Sequence, residues 1–132
     1  MLNLENISKR FGDTVALHAT SLTFKSGSTT ALLGPSGCGK STLLRIIMGL
    51  LPSDTGAVYL DNEKLTPENV LKMRHRMGYM IQDGGLFPHL TIRQNVCLMA
   101  SHLNWELEKT SDRFSELAKL THLPQASFDR FP

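Results

Sequence analysis

Cysteine is scarce in this 132-residue chain, which has Cys38 and Cys97 and no others. Two are too few for a disulfide framework and fit a reducing compartment such as the cytoplasm. An excess of one charge is missing too. Fourteen Lys and Arg stand against twelve Asp and Glu, a formal net charge of +2. No basic stripe therefore argues for nucleic acid, and no polybasic run argues for a lipid surface. Long apolar runs are also absent. The longest, around Leu43 to Leu51, is broken by Arg45 and falls well short of the roughly 20 residues that a membrane span needs. Met1-Leu2-Asn3-Leu4-Glu5 has neither the basic nor the apolar region of a signal peptide. Work at a membrane would have to go through a partner. His18, His75, His89, His102 and His122 show no metal-ligand spacing. There is no internal repeat or low-complexity tract, and the length suits one domain, or part of one, with a real core.

What is present is a stretch of small residues, Gly34-Pro35-Ser36-Gly37-Cys38-Gly39-Lys40-Ser41-Thr42, which fits Gly-x4-Gly-Lys-Ser/Thr. Thr29 to Leu33 before it is short and apolar at its end, as a buried strand would be, and Leu43 to Leu51 after it reads as a helix. A strand feeding a glycine loop that opens a helix is an anion site. Gly34, Gly37 and Gly39 remove the Cβ atoms that would hold backbone N–H groups away from an anion, and they permit positive φ where the loop curls. The free N–H groups of the helix's first turn and its dipole point at the same spot, so phosphate is the expected guest. Lys40 would reach the β- and γ-phosphates, and the Ser41 hydroxyl is placed to ligate a bridging magnesium. A disulfide at Cys38 would obstruct that ligand.

Around this loop the chain reads as short elements. Leu2, Leu4 and Ile7 begin an alternating pattern that resumes at Ser21 to Lys25, after a turn at Gly12-Asp13 and a connection from Val15 to Thr20. This predicts a small antiparallel sheet. Phe11, at the turn, is either packing or a surface on which a purine stacks. Pro52 to Gly56 is a turn cluster, Ala57 to Leu60 a strand, and Asp61-Asn62 a turn; Asp61 reads as turn chemistry and not as a metal ligand. Pro67 suits the first turn of a helix capped by Thr66, with Arg74, His75 and Arg76 at its end. Gly78 to Ile81 reads as a second buried strand, running into Gln82-Asp83-Gly84-Gly85, and a polar residue at such a strand end is where ligands are met. Thr91-Ile92-Arg93-Gln94 is a capping box. Ile92, Val96, Met99 and Leu103 line one face of the helix it opens. A further amphipathic helix is expected from Trp105 to Leu120, with Leu107, Phe114, Leu117 and Ala118 on its apolar side and Pro124 beyond its end.

With these elements in place, the chain resembles the first part of the ATP-binding subunit of an ABC transporter, over all 132 residues. Lys9-Arg10-Phe11-Gly12-Asp13 resembles the A-loop, whose aromatic stacks on adenine. Gly34 to Thr42 resembles the Walker A loop, so Pro35, Ser36 and Cys38 join the glycines, Lys40, Ser41 and Thr42 as nucleotide contacts. Tyr79 to Val96 resembles the Q-loop and the entry to the α-helical subdomain. In that family the glutamine at the position of Gln82 contacts the magnesium and the attacking water, and the segment corresponding to Gly84–Asn95 faces the permease. The resemblance implies an α/β, P-loop NTPase fold with a RecA-like core. Residues 1–90 would form its N-terminal part, an antiparallel β subdomain with the P-loop and Q-loop, and residues 91–132 the start of the α-helical subdomain. The cofactors implied are ATP and Mg2+. The partners implied are a membrane permease and a second ATP-binding subunit, with the protein peripheral on the inner face of the cell membrane. The run from Met80 to Thr91, with Leu103-Asn104-Trp105 downstream, is most similar to importers of glycine betaine, choline and related osmoprotectants.

The likeness stops before the family's signature sequence, Walker B strand and switch histidine, which family members carry within about another hundred residues; Phe131-Pro132 resembles the residues just before the signature. The expectation is a chain that binds Mg-ATP without useful turnover. A second expectation is self-association, because the Walker B strand would pair beside Thr29 to Leu33. Amino-acid and other small-solute importers stay open at this point, as does a soluble ATPase of the same type in DNA repair or translation. A small-molecule kinase would need a lid arginine set that is not found, and no Asn-Lys-x-Asp base reader argues for GTP.

Overall fold

A computed structural model describes residues 1–82 and 84–132; Asp83, in the loop expected after the second core strand, lies outside the described residues. The chain forms two compact units, Met1–Tyr79 and Met80–Pro132. In the first, β1 (Leu2–Phe11) and β2 (Thr14–Phe24) form a long hairpin, followed by α1 (Lys40–Ile47), β3 (Thr55–Leu60), β4 (Glu63–Lys64) and α2 (Val70–Arg74). The sheet is antiparallel throughout, in the order β2-β1-β3-β4.

The turn at Gly12-Asp13 is where the sequence puts it, but Val15 to Thr20 is part of β2 and not a connection. Leu4 and Ile7 are both buried although they are three apart. A strict period of two would send Asn6 inward and Ile7 out. Asn6 instead adopts a positive φ of 48°, the register shifts between Leu4 and Ile7, and this bulge returns Ile7 to the core. On the same side α1 contributes Leu43, Ile46 and Ile47, spaced i, i+3, i+4, and β3 contributes Val58. Each fully buried aliphatic of this kind is worth about 1.5–3 kcal/mol.

Three expectations need correction in this unit. Thr29 to Leu33 carries no strand pairing, and Leu33 is 91% exposed. Gly78 to Ile81 is likewise unpaired rather than a buried strand, with Met80, at the start of the second unit, 94% exposed. A strand exists only when a neighbour takes its N–H and C=O groups, and no described residue does so here. The helix expected at Pro67 begins at Val70, with Asn69 at its N-cap in place of Thr66. Asn69 holds the preceding turn by accepting from the Thr66 N–H at 2.8 Å and donating to Lys64 O at 2.8 Å. Asp61 lies in a turn with positive φ, bonded to the N-terminal ammonium and to Arg76.

The second unit holds α3 (Ile92–His102), α4 (Leu107–Leu120) and a 3-10 turn at Gln125–Ser127. The Thr91 capping box forms as expected: Thr91 Oγ1 accepts from the Gln94 N–H, and Gln94 Oε1 accepts from the Thr91 N–H. Phe114 and Ala118 are buried, Phe114 edge-on against Phe128 with ring centres 4.8 Å apart, and the Arg93 guanidinium lies 4.5 Å from the Phe114 ring centre. The other apolar stripes are not buried. Val96 and Met99 are exposed, and Leu107 is 90% exposed at the first turn of α4. The helix expected from Trp105 starts two residues later, and the indole is covered instead by Lys109 Nζ, 4.3 Å from its centre.

Candidate functional site: a phosphate loop at the start of a helix

Gly34 to Thr42 lies on the surface of the first unit and ends in α1, whose first residue is Lys40. Gly39 is the N-cap, at φ 94° and ψ 0°, and no side chain accepts from the helix's first turn. No acidic residue occupies that turn either. The first turn of any helix has N–H groups without intrahelical acceptors, normally met by a capping oxygen. Here no side chain of the described residues supplies that oxygen. The N–H groups of Gly37 and Gly39 also make no hydrogen bond within the described residues. This arrangement fits an anion of several oxygens.

Two glycines give the loop its curl. Gly37 (φ 81°) and Gly39 both lie in the left-handed region, which costs any other residue except asparagine or aspartate roughly 1–2 kcal/mol. Gly39 has a second reason to lack a side chain: a Cβ there would stand 2.5 Å from the Ala16 carbonyl oxygen. The loop is therefore pressed against the backbone of β2. The Lys40 ammonium folds over the loop, donating to Gly34 O at 2.7 Å and Pro35 O at 2.8 Å, with Cys38 Sγ at 3.4 Å. These are carbonyl contacts without a countercharge, so an arriving phosphate would compete for the ammonium on favourable terms. Ser41, the second residue of α1, is exposed.

Phe11 lies at the end of β1, 53% exposed, paired with Thr14 across the hairpin. Thr14 is two residues from Ala16, the residue that Gly39 touches. The hairpin end and the phosphate loop are thus neighbours within one unit, one offering an aromatic face and the other backbone donors. Gln82 is exposed and belongs to the second unit. There, Asn95 shapes the segment from Phe87 to Thr91: Asn95 Nδ2 donates to Phe87 O, Leu90 O and Thr91 O at 2.9–3.1 Å, and its Oδ1 accepts from the Phe87 N–H at 2.7 Å. Neither Ala16 nor the clamp made by Asn95 was signalled by residue pattern, since Ala16 acts through its own carbonyl oxygen and the Asn95 amide acts on the backbone groups of other residues.

The profile of the ABC transporter family matches residues 17–131 of this chain. The chain belongs to the ABC transporter family. Among similar proteins, the glycine betaine/carnitine/choline transport ATP-binding protein OpuCA of Bacillus subtilis (strain 168) is 38% identical over 100% of this chain and 35% of that protein. The glycine betaine uptake system ATP-binding protein YehX of Escherichia coli (strain K12) is 37% identical, over 100% of this chain and 43% of that protein. The chain thus spans well under half the length of these relatives. Among solved structures, the ATP-binding cassette MJ0796, a dimer in a post-hydrolysis state bound to ADP and Pi, superposes with a TM-score of 0.86 at 32% identity, covering 100% of this chain and 62% of that one. The fold of this ABC transporter chain is accordingly the α/β, P-loop NTPase fold of the cassettes. None of its described helices is long and apolar enough to cross a membrane.

Proposed function

We propose that this chain carries the nucleotide-contacting part of an ATP-binding subunit that couples Mg-ATP to a membrane permease. The observation that supports this most is the uncapped start of α1, with Gly37, Gly39 and Lys40 around it. In this reading the N–H groups of residues 34–42 surround the polyphosphate, with Gly34, Pro35, Ser36, Cys38 and Thr42 as contacts. Lys40 leaves the Gly34 and Pro35 carbonyls for the β- and γ-phosphates, and Phe11 stacks on the purine. Ser41 would be a ligand for magnesium, which when bound would supply positive charge against the phosphates; by the family resemblance Gln82 would be a further ligand and would orient the attacking water. The segment from Gly84 to Asn95 meets the permease, a second ATP-binding subunit completes the assembly, and the site of action is the inner face of the cell membrane. The names of the relatives favour an importer of small solutes such as osmoprotectants.

Calorimetry with Mg-ATP on the 132-residue chain and on Lys40→Ala tests the core of this proposal. Binding that disappears in Lys40→Ala is expected, and equal binding by both would refute it. Turnover is expected to be negligible. Lys40-dependent phosphate release near the roughly 1–100 per second of working phosphotransferases would overturn that part. Uptake into vesicles that carry the partner permease identifies the solute.

A further inference from the structure

We infer that Asp54 is a positioning residue for the base platform at Phe11, an inference that rests on the nucleotide reading above. β1 runs past the end of its neighbour. Its last pairing with β3 is Ser8 with Thr55, and beyond that Lys9, Arg10 and Phe11 have a strand on the β2 side alone. N–H groups on the open side of such a stub need another acceptor, or the stub frays.

Asp54, the residue just before β3, supplies one. Its own N–H donates to Ser8 O at 2.9 Å, its Oδ2 accepts from the Arg10 N–H at 2.7 Å, and its Oδ1 accepts from Lys9 Nζ at 2.6 Å. The carboxylate therefore adds a rung to the sheet beyond the last residue of β3. It also fixes Lys9, whose side chain is only 11% exposed and whose ammonium stands 5.7 Å from the centre of the Phe11 ring, within range of a cation–π contact. The Asp54–Lys9 pair thus supports the ring while leaving about half of the residue exposed. A platform ordered in advance does not have to be ordered when the base arrives, and that saving is what a positioning residue contributes to affinity.

The test is affinity for Mg-ATP set beside affinity for magnesium tripolyphosphate, which has the phosphates and no base. Phe11→Ala is expected to weaken ATP roughly tenfold, the scale of one base–aromatic stack, and to leave tripolyphosphate unchanged. Asp54→Ala is expected to weaken ATP severalfold, also with tripolyphosphate unchanged. The double variant should bind ATP no more weakly than Phe11→Ala alone. Asp54→Asn keeps an acceptor for Arg10 but loses the charge for Lys9, and it serves where the alanine variant folds poorly. Equal weakening of both ligands by the Asp54 variants would mean a merely structural role and overturn the inference. So would Asp54 variants that bind ATP like the parent while Phe11→Ala does not. If Phe11→Ala itself binds ATP normally, the platform reading falls first.

Discussion

Replacing Gly39 with alanine should damage this protein more than the same change at Gly37, although both glycines sit in one loop at nearly the same backbone angle. Their φ values are 94° and 81°, so each alanine meets the left-handed penalty of about 1–2 kcal/mol. Alanine also narrows the unfolded ensemble, which returns about 0.4–1 kcal/mol at either site. The difference lies in the space around the new methyl group. At Gly37 a Cβ meets nothing within 4 Å, whereas at Gly39 it lands 2.5 Å from Ala16 O. That oxygen belongs to β2, which is laddered to β1, so relief means moving a strand or unwinding the start of α1. Overpacking of this sort costs about 1–3 kcal/mol more. Gly37→Ala should therefore lose at most about 1–2 kcal/mol, and Gly39→Ala about 1–4 kcal/mol, from these terms. Since 1 kcal/mol moves the melting point of a unit of this size by about 4–8 °C, thermal unfolding followed by circular dichroism separates the two variants. Co-melting of the pair, or a Gly39→Ala protein as stable as the parent, would refute the idea that the loop is braced on β2.

Asn95→Ala should cost the second unit about 1–3 kcal/mol, because four loop hydrogen bonds lose their partner; a lower urea midpoint and faster hydrogen exchange at the Phe87 amide would be the signature. Lys9 and the Arg10 N–H hold the Asp54 carboxyl below its usual value near 3.8. A lowered carboxyl contributes stability above its unfolded pKa and loses it as pH falls through the folded one, so acid titration of the parent should show a loss below about pH 4 that Asp54→Asn lacks. Thr29 to Leu33 has no strand pairing among the described residues, and unpaired backbone N–H and C=O groups of this kind are a template for pairing with another chain. Light scattering on the 132-residue chain should therefore report self-association, and a monodisperse monomer at high concentration would contradict it.

The parts legible in the sequence are those that one contiguous run decides. Gly34 to Thr42 carries its own turn chemistry, donors and cation, and Leu43, Ile46 and Ile47 mark the buried face of α1 without help from elsewhere. The Thr91 box is local too. What could not be read depends on partners far away in the chain. Thr29 to Leu33 and Gly78 to Ile81 have strand-like side chains, yet a strand is a relation between two segments, and neither finds its second among the described residues. Asn6 escapes a period-two reading because a bulge changes the period by one residue. Asp54 looks like one polar member of a turn cluster, and its bonds to Lys9 and Arg10 span more than forty residues.

The two ends of α1 are met differently, and the difference favours an anion at one of them. A helix carries about half a positive charge at its N-terminus and half a negative charge at its C-terminus. At the C-terminal end the Arg74 guanidinium donates to Met48 O at 3.0 Å and to Gly49 O at 2.7 Å, while the Gly49 and Leu50 N–H groups turn back to Ile46 O and Arg45 O. The negative end is thereby met from within the fold. The positive end has no capping side chain and no acid in its first turn, and Lys40 adds a full charge there. A protein that wanted only a stable helix would gain on the order of a few tenths of a kcal/mol from a capping Ser, Asp or Asn in place of Gly39. The left-handed backbone, the pressure of Ala16 and the uncapped turn all run against that gain. What they share is room, and donors, for a charged group that comes from solution.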